Sequence, residues 1–262
     1  MTKKLNLNHI IGGPRSIHLV AEMGAGKSTF LELLINYEWW LSKDTNLEGR
    51  LIAKGFVEDI PHDIWKEYQI AMKQKTPSKN VYQAQSFFMD QKLRFVAQAS
   101  GVGYEREHGL YVVERDPRED YHVFASRLKK LFLNGEFEKY EDTYGPKVKD
   151  SLIPDLIVRL RSSPEVSMKR VQERKTGELL ELVDYQEMEA LYTIYVDKWI
   201  RTNNIPCIDI DTSLEKFDFN TRNGQNYFLT EFFTGLSDNG YWKLDKHILQ
   251  VKKLLNLNNG TY

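Results

Sequence analysis

Residues 18–30, HLVAEMGAGKSTF, set a lysine and two hydroxyl side chains directly behind a Gly-Ala-Gly turn. Successive backbone N–H groups at such a turn, followed by a helix N-terminus, surround an anion. In the pattern G-x-x-x-x-G-K-[ST], Lys27 bridges the terminal phosphates of a nucleotide, Ser28 holds Mg²⁺, and Gly24, Ala25, Gly26 and Thr29 complete the cradle. Ala21 stands where the first glycine belongs. A methyl group there is costly only if the residue needs a positive φ or a very close backbone approach. The working end, GAGKST, lies between an apolar run and a helical one, as the motif requires. Phosphate binding is therefore expected, against the bland alternative of a strand–turn–helix with a chance lysine.

Two acids and an arginine extend that chemistry. YVVERD ends an apolar run on Glu114 and Arg115, and GFVEDI places Glu58 at the end of another. Taken singly, each is a charge emerging into solvent at a strand end. Beside a phosphate loop they describe a division of labour: one carboxylate takes a proton from an attacking hydroxyl, the other holds the metal through water, and the arginine offsets both phosphate and carboxylate.

The elements that must position these groups alternate. Short apolar runs at 16–21, 51–58, 109–114, 155–160 and 206–211 read as strands. Helical patterns fill about 61–73, 79–100, 117–134, 137–150, 164–175 and 184–202. This predicts an α/β fold with a five-stranded parallel sheet and helices on both faces, whose ligands sit beyond the strands' C-terminal ends. The stretch 220–242 carries aromatics between turn residues, and 243–257 has the pattern of an amphipathic final helix. Charges balance, with Lys+Arg 36 and Asp+Glu 37, which argues against a dedicated nucleic-acid or membrane-surface binder. One cysteine, Cys207, fits a reducing compartment. The lysines near the start have no apolar core behind them, so a cytoplasmic protein is expected.

Five segments in order resemble the deoxynucleoside kinases (the deoxycytidine, deoxyguanosine and insect multisubstrate kinases). They are the glycine loop; YQAQSFFMDQKL, like the family's substrate helix; and ERDPREDYHVFASRL, like its Glu-Arg-Ser signature with Asp116 in place of serine. PDLIVRLRSSPEVSMKRVQERKTGE, like the strand and helix leading into its arginine lid, and DYQEMEALYTIYVDKWI follow. The likeness runs from about 16 to 211, with gaps around 40–80. It implies one P-loop kinase domain over 1–262, a three-layer fold with an arginine-containing lid at about 170–182 and an extension from about 212. Its cofactors would be ATP or another NTP and Mg²⁺, and its assembly a homodimer without nucleic acid or membrane.

Residue by residue, the resemblance makes Glu58 the base on the 5′-hydroxyl, Arg115 its orienting partner and Glu114 a magnesium group. Arg170 and Arg174 become lid cations, though Arg170 could instead support the lid, and a third lid arginine is missing at Thr176. Glu178 takes the 3′-hydroxyl contact when counted from Tyr185, whereas counting from Arg174 points to Leu179. Tyr68 and Tyr82 both remain candidates for the tyrosine sharing that contact. Trp65 resembles the pocket tryptophan and Gln85 the base-reading glutamine. A basic residue seven after that glutamine, with an aspartate after Glu-Arg, accompanies purine and cytosine substrates; here these are Lys92 and Asp120. Physical reasoning agrees: Gln85, Phe88, Met89 and Lys92 share one helical face, where a buried amide and ammonium are costly without partners. Asp120 and Phe124, at i and i+4, offer a carboxylate for an amino group and a ring for stacking, although Phe124 also fits ordinary core.

The expected activity is transfer of the γ-phosphoryl group of ATP, or another NTP, to the 5′-hydroxyl of deoxyadenosine, deoxyguanosine or deoxycytidine rather than thymidine. One rival is a nucleoside monophosphate kinase of the thymidylate kinase type, which would need an anion site where Glu58 is placed. Another is a nucleotide-binding protein without turnover, which would need neither Glu58 nor the Gln85, Lys92 and Asp120 group.

Overall fold

In β1 (Ser16–Ala21), Ile17, Leu19 and Ala21 enter one apolar cluster while Val20 enters another. In β3 (Leu156–Arg161), Leu156, Val158 and Leu160 join the first cluster and Ile157 the second. A strand buried on both faces belongs in a parallel sheet covered on both sides. The computed structural model describes residues 16–34, 61–99, 111–174 and 180–240. Within them β1 pairs in parallel with β2 (Tyr111–Glu114) and β3, and β3 with β4 (Cys207–Asp211), giving the order β2-β1-β3-β4. The strand expected at 51–58, with Glu58, lies outside the described residues. So do Thr176, Glu178, Leu179 and the helix expected at 243–257.

One face of the sheet carries α1, described over 27–34, together with α9 (Arg222–Asp238). Phe30 of α1 meets Phe228 and Phe232 edge-on, at 5.4 and 4.9 Å between centroids. Within the stretch 220–242, whose aromatics fall between turn residues, Arg222–Asp238 is thus a helix. Phe228, Leu229, Phe232, Phe233 and Leu236 form a helical stripe on the core. Gly235 is there for closeness, since a Cβ would stand 2.5 Å from the Ile208 side chain.

The other face carries α7 (Leu182–Leu191) and its continuation, while α2 (His62–Gln74), α3 (Lys79–Ala99) and α5 (Glu136–Lys149) pack beside them in a further cluster. Two expected helices are broken. In place of one helix over 117–134 there is α4 (Pro117–Glu119), a π-helical turn at Asp120–Ala125 and a 3₁₀ turn at Lys129–Leu131. The span 184–202 is α7, a π-helical turn at Tyr192–Asp197 and α8 (Lys198–Thr202). A wider turn re-aims the side chains beyond it. Here Glu119 meets Tyr192 while Asp120 and Phe124 meet Arg115, and Asp197 reaches β3. The remaining helix, α6 (Pro164–Arg174), follows β3 toward the segment expected to be the lid.

Candidate active site

The phosphate loop forms despite Ala21 because that residue is still strand. It pairs with Leu160 and is not among the described non-glycine residues with positive φ. The left-handed turns fall three and five residues later, at Gly24 (φ +83°) and Gly26 (φ +95°). A side chain at either would collide, with the Ser167 backbone at 2.6 Å or the Phe219 ring at 2.6 Å. Helix α1 opens at Lys27, as an anion cradle requires. The Lys27 ammonium donates to the carbonyls of Ala21 (2.8 Å) and Glu22 (3.2 Å). Burial, reinforced by the Arg115 charge, pulls its pKa down to about 8 against the pull of Glu119, Glu114 and Glu22. Such a cation gains strongly from an arriving anion. Ser28 is exposed and Thr29 half-buried.

At the end of β2, Glu114 lies opposite Leu19, and Arg115 turns left-handed at φ +70° with its N–H on the Leu19 carbonyl (2.9 Å). Such a conformation in a non-glycine residue persists only where its surroundings hold it. The guanidinium lies 4.2 Å over the Phe124 ring and 3.7 Å from the Asp120 carboxylate. Asp116, in the family's serine position, caps α4 by accepting from the Arg118 N–H (2.8 Å). It also accepts from His18 Nδ1 (2.6 Å) and Arg118 Nη1 (3.2 Å). Burial would raise its pKa, but the His18 and Arg118 contacts win and hold it below the usual range.

Helices α2 and α3 contribute rings and buried polar groups. Gln85, Phe88, Met89 and Lys92 are all buried, as their spacing implied. Gln85 Nε2 donates to the Tyr68 hydroxyl (3.4 Å). Tyr68 lies 5.6 Å from Trp65 and 6.2 Å from Phe88, with Trp65 and Phe88 6.4 Å apart. Burial pushes the Tyr68 hydroxyl up to about 12, with the Arg127, Arg115 and Asp120 charges also acting on it. Tyr82, packed against the same cluster as Tyr68, lies beneath Lys139. Of the two tyrosines, Tyr68 bonds Gln85 and packs beside Trp65.

On α6, Arg170 donates to the Thr212 hydroxyl (3.2 Å) and carbonyl (2.7 Å) and covers Phe219 at 5.0 Å. It braces the loop after β4 in this structure. Arg174 is exposed at the end of α6. At the start of α7, Asp184 pairs with Arg127 (2.8 Å).

Sequence reasoning passed over several buried groups. Glu119 accepts from the Tyr192 hydroxyl, and burial raises its pKa despite Arg115 and Lys27 nearby. Glu22 and Asp197 both pair with Arg159. A readable signal existed for Arg159: a cation in the middle of the apolar run LIVRLR.

The deoxynucleoside kinase family model matches residues 19–231. The fold is similar to structures of deoxyadenosine kinase from M. mycoides. These include one with bound dATP (19% identity, TM-score 0.58) and one with the products dCMP and a flexible dCDP (18%, 0.56). A third, with bound dCTP, gives 16% and 0.55; each likeness covers 84% of this chain and 99% of the other. With most of its length matched and a phosphate loop, strand-end Glu-Arg pair and buried Gln85 helix in place, the chain belongs to the deoxynucleoside kinase family and is a kinase.

Proposed function

We propose that this kinase transfers the γ-phosphoryl group of ATP, or another NTP, to the 5′-hydroxyl of deoxyadenosine, deoxyguanosine or deoxycytidine in preference to thymidine. The observation that carries this reading is the position of Arg115. Its charge acts on Lys27 in the phosphate loop, and its guanidinium rests on Phe124 beside Asp120. One cation thus joins the place where phosphate would bind to the place where a base would stack.

In this reading Lys27, the loop N–H groups and Arg174 hold the transferring phosphates. Glu58 takes the proton of the 5′-hydroxyl, and Arg115 orients both. Phe124 stacks on the base; Gln85, Lys92 and Asp120 read its edge; Tyr68 and Glu178 hold the 3′-hydroxyl, with Trp65 lining the pocket. Positioning and charge neutralisation supply most of the rate. Mg²⁺ suits the donors available: the Ser28 hydroxyl at the helix start and Glu114, whose charge is felt at Lys27. A hard cation held by one or two protein oxygens keeps its other positions for water and phosphate, and bound there it would neutralise developing charge. No described helix is long and apolar enough to cross a membrane. A cytoplasmic homodimer belongs to the same proposal.

A coupled assay with ATP and a panel of deoxynucleosides and their 5′-monophosphates tests the acceptor. Turnover with the nucleosides is expected. Turnover with monophosphates alone would favour the thymidylate kinase type, and none with either a non-catalytic protein.

A further inference from the structure

The residue that follows β1 into the phosphate loop is an acid, Glu22, and it is buried at 4% exposure. A carboxylate at that place carries the wrong charge for a triphosphate site. Its Oε2 accepts no hydrogen bond among the described residues, and its Oε1 accepts from Arg159 Nη2. Arg159 comes from β3, opposite Val20 of β1, and is only 1% exposed. A buried guanidinium is tolerable only when its donors and charge are met. Here Nε donates to Asp197 Oδ1 (3.0 Å), Nη1 to the Leu160 carbonyl (2.9 Å), and the plane lies 4.4 Å over the Tyr192 ring. Asp197 is shared with Arg161 (3.1 Å), which in turn pairs with Asp209 (2.8 Å).

The same group reaches Lys27 through the backbone. The ammonium rests on the Ala21 and Glu22 carbonyls. The Tyr192 hydroxyl donates to the Ala21 carbonyl (2.7 Å), and Arg159 holds Glu22 by its carboxylate. Both carbonyl-bearing residues are therefore fixed from beneath, by two side chains stacked on each other. We propose that Arg159 is a positioning residue for the phosphate donor: it takes up the charge that Glu22 brings into the loop and, with Tyr192, fixes the two residues that hold Lys27. This rests on the reading of the loop as the donor site. It makes Glu22 and Arg159 one functional unit, meaningful only together.

The test is triphosphate affinity by calorimetry, with KM for ATP and for deoxynucleoside, in the native protein and three variants. Arg159→Met strands the Glu22 charge beside the triphosphate. It is expected to weaken ATP binding about 10–100-fold, with KM for ATP rising in step and KM for the nucleoside nearly constant. Adding Glu22→Gln to Arg159→Met removes the stranded charge and should return ATP affinity to within about fivefold of native. A double variant as weak as Arg159→Met overturns the proposal, as does a folded Arg159→Met with native ATP affinity. If Arg159→Met does not fold, Glu22→Gln alone decides. Glutamine still accepts from Arg159 but adds no negative charge, so ATP should bind equally well or about two- to fivefold tighter. Weakening by about tenfold would contradict the proposal. A native protein that binds no triphosphate would instead sink the donor-site reading itself, and this proposal with it.

Discussion

The two sides of the proposed site are built from different materials. Beside the glycine loop, buried acids are held by side-chain partners: Glu22 and Asp197 by Arg159, Asp116 by His18 and Arg118. On the side where the proposal puts the nucleoside, Trp65, Tyr68 and Phe88 pack ring against ring beside Gln85, while Phe124 lies under Arg115. Removing one member of a buried pair leaves an uncompensated charge and is strongly destabilising. Packed rings can be exchanged at smaller cost, with the packing changing before the fold fails. Under the proposed function, the first side suits a constant task, holding phosphate, and the second an adjustable one, choosing a base.

The largest break in that contrast comes from Lys27→Ala. It empties the loop of its cation, and kcat should fall on the order of 10³-fold or more, as when a preorganised group at the transferring charge is lost. Nucleoside binding measured by fluorescence should survive; activity near native would remove the phosphate-loop reading. Glu58→Gln keeps shape and removes proton acceptance, so kcat should fall about 10²–10⁴-fold while nucleoside affinity changes little. An effect confined to KM would make Glu58 a binding residue.

On the adjustable side, Asp120→Ala with Lys92→Met is expected to lower overall rate, since Asp120 also faces Arg115. The ratio of thymidine to deoxyadenosine kcat/KM should nevertheless rise about 10²-fold or more, because the polar penalty against thymine is gone. An unchanged ratio would mean that this pair does not read the base.

The smallest effect is a pH dependence. Burial lowers the Lys27 pKa to about 8. The free folded protein thus loses this proton well before the unfolded chain does. Stability from this group therefore rises as pH climbs from about 8 toward the ordinary lysine value, where the unfolded chain binds more protons. A triphosphate needs the charged form, so its binding takes up a proton above pH 8. ATP affinity should be flat from about pH 6.5 to 7.5 and then weaken by up to about tenfold per unit above 8. Lys27→Met should abolish that slope; the same slope in the variant would assign it to another group.

How much could be read in advance follows from where partners sit in the chain. The loop is legible because its parts are contiguous, and the Gln85–Lys92 face because helical periodicity places it. Arg115 is readable as a strand-end cation, but not its left-handed backbone, which depends on its hold on Leu19. Glu119 and Tyr192 are 73 residues apart, and Glu22 and Arg159 137 apart, so no local pattern joins them. The π-helical turns are invisible for the same reason, since they serve those distant contacts. In α9, the glycines and asparagines hid an aromatic stripe whose spacing was already helical.

The proposed function joins a phosphate loop to a nucleoside site that selects bases by an amino group. Its most direct test is kcat/KM of the unmodified protein, with ATP and Mg²⁺, for deoxyadenosine, deoxyguanosine, deoxycytidine and thymidine side by side. The account predicts turnover of at least one of the three amino-bearing nucleosides, with thymidine poorer by about 10²-fold or more. Thymidine phosphorylated as efficiently as the best of the others would contradict it.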